Sequence, residues 1–197
     1  KNLIPMEKQS HISVKLIIVG GSGVGKTSLI SSFFKQQFEK EISQTIAPAF
    51  CNANIITDDG RVVDLQIWDT AGQEQYQSIC QMFYRDAKVA FICYERANKE
   101  CIEQWISRVR NNVSDCNYIL ITTKSDKLSQ EELEEEKMKS KEIGDSLNIK
   151  YHLITSSKTG ENVDNAFRLA ATITDINMHT VSKTQKIDNI SHDSSCC

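Results

Sequence analysis

Several things are scarce in this sequence, and each absence narrows the reading. No apolar run approaches the ~20 residues of a membrane span, and the first residues lack the apolar core of a signal peptide. The expectation is a chain with neither a spanning segment nor a secretion signal. Lys1 rather than Met opens the sequence, as a processed chain would. The net charge of −3 offers no general attraction to nucleic acid, and no basic stripe makes up for it, so nucleic acid is not an expected partner. The seven cysteines include no C-x-x-C spacing. Cys51, Cys80, Cys93, Cys101 and Cys116 are scattered, mostly among apolar neighbours, and read as buried free thiols of a reducing compartment. Asn112-Val113-Ser114 matches a glycosylation sequon, without a secretion signal to bring it into use.

What is present is an alternation. At 197 residues the chain reads as one domain with a sizeable core. Strands are predicted at Val14–Val19, Ile55–Ile56, Val62–Trp68, Val89–Tyr94, Tyr118–Thr122 and Tyr151–Ile154. Helices are predicted at Lys26–Gln36, Ile79–Phe83, Glu100–Val113, Glu131–Leu147 and Val163–Ile176. Repeated β-then-α order predicts a doubly wound α/β fold. Its sheet would be six-stranded and mostly parallel, with helices on both faces and ligands at the carboxyl ends of strands. The run from Thr57 to Arg61 reads as a hairpin turn, which makes one strand antiparallel. Ser129-Gln130-Glu131-Glu132 is a capping box, and the acidic helix behind it reads as a solvated face. Apolar periodicity stops from Thr180 onward. Residues 1–12 are therefore expected to be a flexible extension, 13–177 the domain, and 178–197 a flexible tail.

The richest stretch is Gly20-Gly21-Ser22-Gly23-Val24-Gly25-Lys26-Thr27, with Ser28 behind it. It matches G-x-x-x-x-G-K-[ST], after a predicted strand and before a predicted helix. Glycines let backbone wrap an anion, and N–H groups at the helix start point at phosphate oxygens. Lys26 adds positive charge and Thr27 a hydroxyl for Mg2+. A plain glycine turn would not explain that placement. Further along, Val63-Asp64-Leu65-Gln66-Ile67-Trp68 runs into Asp69-Thr70-Ala71-Gly72-Gln73-Glu74. An Asp at a strand's carboxyl end can hold Mg2+ through water. Gly72 can approach a terminal phosphate through its N–H, and Gln73 can orient an attacking water.

With these residues in view the chain resembles the Ras superfamily of small GTPases, and within it the Rab family. Trp68-Asp69-Thr70-Ala71-Gly72-Gln73-Glu74 is similar to the Rab form of the second switch motif. Phe83-Tyr84-Arg85-Asp86-Ala87 and Gly160-Glu161-Asn162-Val163 are also Rab-like. The resemblance runs from about Val14 to about Ile173 and implies a P-loop NTPase G domain that binds GTP or GDP with Mg2+. It implies that Lys26 reaches the β- and γ-phosphates and that Thr27, Thr45 and Asp69 serve the metal. Ser22, Gly23, Val24, Gly25 and Ser28 would line the phosphates, and Phe38 would pack against the guanine edge. Thr123, Lys124 and Asp126 match the base-reading motif, and Ser156, Ser157 and Lys158 the last loop. Asp126 would accept from guanine N1 and its exocyclic amine; adenine presents no such donor pair, so GTP is chosen over ATP.

The chain also departs from its relatives. Thr123 stands where the family usually has Asn, so bracing of the phosphate loop is expected to weaken. Ala47 replaces a glycine of the first switch, and Pro48 stiffens that side. Between Tyr94 and Trp105 the chain is about one helical turn short. Ala49-Phe50 and the Tyr76/Ser78 pair resemble the early-endosomal Rab branch, whereas Gly23 is the common Rab residue.

Cys196-Cys197 after a polar tail is similar to the Rab double-cysteine prenylation signal. Two lipid chains anchor stably where one does not, and the tail has too little positive charge to help. The resemblance implies a monomeric core with geranylgeranyl groups on these cysteines. It would work at the cytoplasmic face of intracellular, endosome-like membranes, cycling with the cytosol. It also implies effectors, an exchange factor, a GTPase-activating protein and a GDP-dissociation inhibitor. Phe50, Trp68 and Phe83 fall at the family's effector-facing aromatic positions. The expected function is a Rab-type GTP hydrolase of slow intrinsic rate that switches in vesicle trafficking. Two rivals are an ATP-dependent P-loop kinase, for which no Arg-rich lid is present, and a non-hydrolysing GTP-binding scaffold.

Overall fold

The apolar run ahead of the glycine loop becomes the middle of a sheet. The computed structural model describes residues 12–36, 49–69 and 83–173. In chain order these hold β1 (Ile12–Gly20), α1 (Lys26–Phe33), β2 (Ala49–Ile56), β3 (Val62–Asp69), β4 (Val89–Tyr94) and α2 (Lys99–Arg110). Then come β5 (Asn117–Thr122), α3 (Gln130–Ser146), β6 (Tyr151–Ile154) and α4 (residues 163–173). The sheet has six strands in the order β2-β3-β1-β4-β5-β6. Only the β2–β3 pair is antiparallel; the other pairings are parallel.

Side-chain alternation along the strands builds two cores. Leu16, Ile18, Phe91, Cys93, Ile119 and Ile121 pack on one face with Leu29 of α1 and Ala166, Phe167 and Ala170 of α4. Ile17, Val19, Ala90, Ile92 and Leu120 point the other way, against Ile102, Trp105, Ile106 and Val109 of α2 and Ile143 and Leu147 near the end of α3. Each fully buried Leu, Ile, Val or Phe side chain among these contributes about 1.5–3 kcal/mol, and neither face can be uncovered cheaply. Lys15 is tolerated within β1 because its ammonium lies over the Trp68 ring, 4.4 Å from the centroid, and donates to the Arg85 carbonyl at 2.8 Å.

The structure redraws several boundaries. β2 runs for eight residues, not two, and pairs with β3 from Ala49↔Asp69 to Ile56↔Val62. Cys51, Ala53 and Ile55 pack inward while Asn52, Asn54 and Ile56 are exposed. The two asparagines are the outward members of this alternation, but asparagine has low strand propensity, and β3 supplies the pairing that propensity does not. Ile12, expected to close the N-terminal extension, is the first residue of β1 and pairs with Val63. α1 stops at Phe33, short of Gln36, because Lys35 turns left-handed at φ 55° and the Gln36 N–H bonds back to Ser31. Of the helix expected at Ile79–Phe83, residues 79–82 lie outside the described residues, as do residues 174–176 of the one expected at Val163–Ile176. Gly60, at φ 83°, closes the expected hairpin with its N–H on the Thr57 carbonyl.

The topology sets the site. The carboxyl ends of β1, β3, β4, β5 and β6 lie along one edge of the sheet, where the glycine loop, Asp69, Glu95, Thr123 and Ser156 follow them. Gly20 ends β1 so close to β4 that a Cβ there would stand 2.3 Å from the Cys93 carbonyl oxygen.

Candidate functional site

Between β1 and α1 the chain folds into a tight loop whose last residue, Gly25, is left-handed at φ 105° and opens α1. No side chain caps α1, so its first N–H groups face the loop without a competing acceptor from a cap. Lys26 is buried in the first turn, and its ammonium donates to the carbonyls of Gly20 at 2.7 Å and Gly21 at 2.8 Å. Ser22 and Gly23 are exposed at the tip, Val24 is buried beneath it, and Gly25, Thr27 and Ser28 are half-buried. A buried ammonium beside a loop of backbone donors is an anion site.

Asp69 ends β3 and pairs in register with Ile18 of β1, which brings it beside the loop. It is 2% exposed. One carboxylate oxygen, Oδ2, accepts the Thr27 hydroxyl at 2.7 Å; the other, Oδ1, is buried with no hydrogen-bond partner among the described residues. Burial pushes the Asp69 carboxyl above the usual range, against the Thr27 bond and the Lys26 charge, which pull it down. An orphaned carboxylate oxygen next to a hydroxyl suits a hard divalent cation.

The base-reading motif follows β5. Thr123 is 2% exposed, and its hydroxyl oxygen lies 2.7 Å from the Val24 carbonyl and 3.2 Å from that of Tyr94. The expected loss of bracing through Thr123 is therefore offset: the hydroxyl itself reaches the phosphate loop. Lys124 is left-handed at φ 58°, and its ammonium donates to the Gly23 carbonyl at 2.7 Å while pairing with Glu95. Asp126 sits on a surface turn with its side chain directed inward, 15% exposed. Its Oδ1 accepts the Ser156 hydroxyl at 2.7 Å, and Lys158 lies 3.8 Å from its Oδ2. Ser157 is half-buried between them. A second bond, from the Ser125 hydroxyl to Glu161 at 2.9 Å, fastens the same two loops. Asn162 closes the loop after β6 on itself by donating to the Ile154 carbonyl at 2.9 Å.

Sequence reasoning assigned no role to Glu95, Glu136 or Glu161. Glu95 carried a signal, being the first charge after the apolar β4 run, at a strand's carboxyl end. Glu161 stood within a quoted family pattern without a partner. Phe50, Trp68 and Phe83 form a contiguous aromatic set, with centroid distances of 5.0 Å and 5.6 Å, and Phe50 is 51% exposed. Phe38, Thr45, Ala47, Pro48, Gly72, Gln73, Tyr76, Ser78, Cys80, Cys196 and Cys197 lie outside the described residues. No described helix is long and apolar enough to cross a membrane.

Comparison with known proteins agrees with this geometry. The Ras family model matches residues 15–176. The chain is 38% identical over 174 residues to the Ras-related protein RABA1c of Arabidopsis thaliana, covering 86% of this chain and 77% of that one. It is 35% identical over 163 residues to the GTP-binding protein ypt5 of Schizosaccharomyces pombe, with 81% and 77% covered. With the Ras-related protein Rab-1A of Dictyostelium discoideum it shares 32% identity over 206 aligned positions, 98% and 100% of the two chains.

Proposed function

The chain belongs to the Ras family of small GTPases as a Rab member, and from that premise we propose how its own residues bind guanine nucleotide and hydrolyse GTP. Rab proteins are GTP hydrolases that switch in vesicle trafficking at the cytosolic face of membranes, and this chain shares that function.

The phosphate loop, residues 20–27 with Ser28, takes the phosphates on its N–H groups, and Lys26 lies against the β- and γ-phosphates. Thr27 and Asp69, joined by Thr45, hold Mg2+, and the orphaned Asp69 Oδ1 supports this assignment. When bound, the metal neutralises charge that builds on the phosphate oxygens. Gln73 orients a water whose oxygen bonds to the γ-phosphorus as the β–γ bridging bond breaks, giving GDP and phosphate, while Gly72 holds the γ-phosphate. Asp126 reads guanine, with Phe38, Ser157 and Lys158 around the base. The observation that carries the reading is the joining of the phosphate loop to the base loop, Thr123 to Val24 and Lys124 to Gly23. That coupling supports a single nucleotide spanning both loops.

Membrane attachment would run through geranylgeranyl groups on Cys196 and Cys197, beyond a domain that begins at Ile12. Ala49-Phe50 supports an early-endosomal site. Effectors would meet Phe50, Trp68 and Phe83, with an exchange factor, an activating protein and a GDP-dissociation inhibitor as regulators.

Single-turnover GTP hydrolysis tests the switch. Wild type should hydrolyse slowly and be accelerated by Rab-activating proteins, whereas Gln73→Leu should not respond. Equal, unaccelerated rates would leave a GTP-binding scaffold instead. A tagged chain should lose its membrane signal when both terminal cysteines become serine.

A further inference from the structure

Lys124 is held in place from two sides. Its left-handed backbone, φ 58°, is costly for a residue with a Cβ and persists only where the surroundings demand it. The stem crosses the phosphate loop, with Cε 3.7 Å from where a Cβ on Gly25 would stand. At its end the ammonium donates to the Gly23 carbonyl at 2.7 Å and pairs with Glu95. A four-carbon stem has large rotamer freedom, so the carbonyl alone would hold it weakly. Glu95 is the second anchor.

That anchor is itself fixed. Its neighbours along the chain are fastened to α3: the Tyr94 hydroxyl lies 3.1 Å from the Ser140 hydroxyl, and Arg96 pairs with Glu132 at 2.8 Å. The Ala97 N–H donates at 2.7 Å to Glu136, a carboxylate residue 3% exposed. Glu95 thus projects from a segment tied to a seventeen-residue helix. C=O and N–H of one trans peptide point opposite ways. Holding the Gly23 carbonyl outward therefore keeps the Val24 N–H turned into the loop, where it reaches Gly21 at 3.4 Å.

We propose that Glu95 is a positioning residue for nucleotide retention: it holds the Lys124 ammonium against the Gly23 carbonyl, keeps the phosphate loop shaped around its ligand, and sets how fast GDP leaves. The inference rests on the reading of that loop as the guanine-nucleotide site. Glu95 touches no nucleotide atom; it acts through Lys124.

Release of a fluorescent GDP analogue from the full chain tests this, for wild type, Glu95→Gln and Glu95→Asp, across ionic strength at fixed Mg2+. The pair is 29% and 43% exposed at its two side chains, so Glu95→Gln should release about two- to fivefold faster at low salt. The difference should shrink as salt screens the wild-type pair, and Glu95→Asp should fall between. The thermal midpoint of the nucleotide-free chain, which weaker nucleotide binding cannot lower, and the preference for guanosine over inosine nucleotide should stay at wild-type values. Equal release by Glu95→Gln and wild type at every salt concentration overturns the proposal. Faster release with a lowered midpoint also overturns it, by assigning Glu95 to the fold. Wild type that retains no guanine nucleotide overturns the underlying reading of the site instead.

Discussion

The Thr123 hydroxyl donates to the Val24 carbonyl at 2.7 Å, and through that bond the loop after β5 holds the loop after β1. The residue usual for the family at this place offers an amide; the hydroxyl supplies the same donor from a smaller side chain. With the carbonyl held outward, the Gly25 N–H of the same peptide is turned toward the phosphate side.

Thr123→Val keeps the volume and removes the donor. The Val24 carbonyl would lose this buried partner, a loss of about 1–3 kcal/mol, while the Tyr94 carbonyl keeps the Thr123 backbone N–H. Denaturant unfolding should report that destabilisation, and GDP release should quicken. Thr123→Ser should restore most of both. If Thr123→Val unfolds with wild-type stability, the hydroxyl is not bracing the loop.

The phosphate loop, Asp69 and the base-reading run were legible because each combines a rare residue pattern with a strand end, and the order of elements then fixed their meeting. β2 was not, since Asn52 and Asn54, the outward members of its alternation, have low strand propensity and only pairing with β3 makes the strand favourable. Bonds such as Thr123 to Val24, Glu95 to Lys124 and Ser125 to Glu161 join residues far apart in sequence. No local periodicity encodes them. The α1 terminus was missed because a left-handed Lys35 carries none of the glycine signal that usually marks such a stop.

Gly20 is required by space. Gly20→Ala would drive its Cβ to 2.3 Å from the Cys93 carbonyl oxygen, and backbone cannot swing aside as a side chain does. The expected cost is about 3 kcal/mol, seen as a lowered unfolding midpoint or insoluble protein. Gly21→Ala, where a Cβ meets nothing within 4 Å, is the matched control and should fold normally.

The capping box of α3 makes a pH prediction. The Ser129 N–H and the Arg96 guanidinium hold the Glu132 carboxyl below its usual range. Because its folded pKa is depressed, its contribution is fully present above the ordinary carboxylate range and is lost as pH falls through the depressed value. Glu132→Ala should therefore be less stable than wild type at neutral pH. The two unfolding curves should converge in acid, and a constant gap down to pH 2 would contradict the assignment.

Burial also predicts thiol chemistry. The Cys93 thiol is pushed up to about 12 by burial, so at pH 8 only about one thiol in ten thousand is ionised, whereas Cys101 is exposed on α2. Brief iodoacetamide treatment followed by peptide mass spectrometry should modify Cys101 and leave Cys93 untouched until denaturant is added. Ready labelling of native Cys93 would mean that β4 opens far more often than its packing implies.

Asp69 bears most directly on the chemistry. Its Oδ1 is buried without a partner while Oδ2 is satisfied by Thr27, an arrangement that costs stability unless a cation shares the carboxylate. Asp69→Asn keeps the shape and removes the charge. In wild type, chelating Mg2+ with EDTA should speed GDP release by at least about tenfold. Asp69→Asn should already release fast in Mg2+ and gain little from EDTA. Unfolding without nucleotide or metal should be no worse in Asp69→Asn than in wild type, since the variant relieves a buried charge. A variant that keeps the full EDTA response would remove Asp69 from the metal site and leave its orphaned oxygen a purely structural cost.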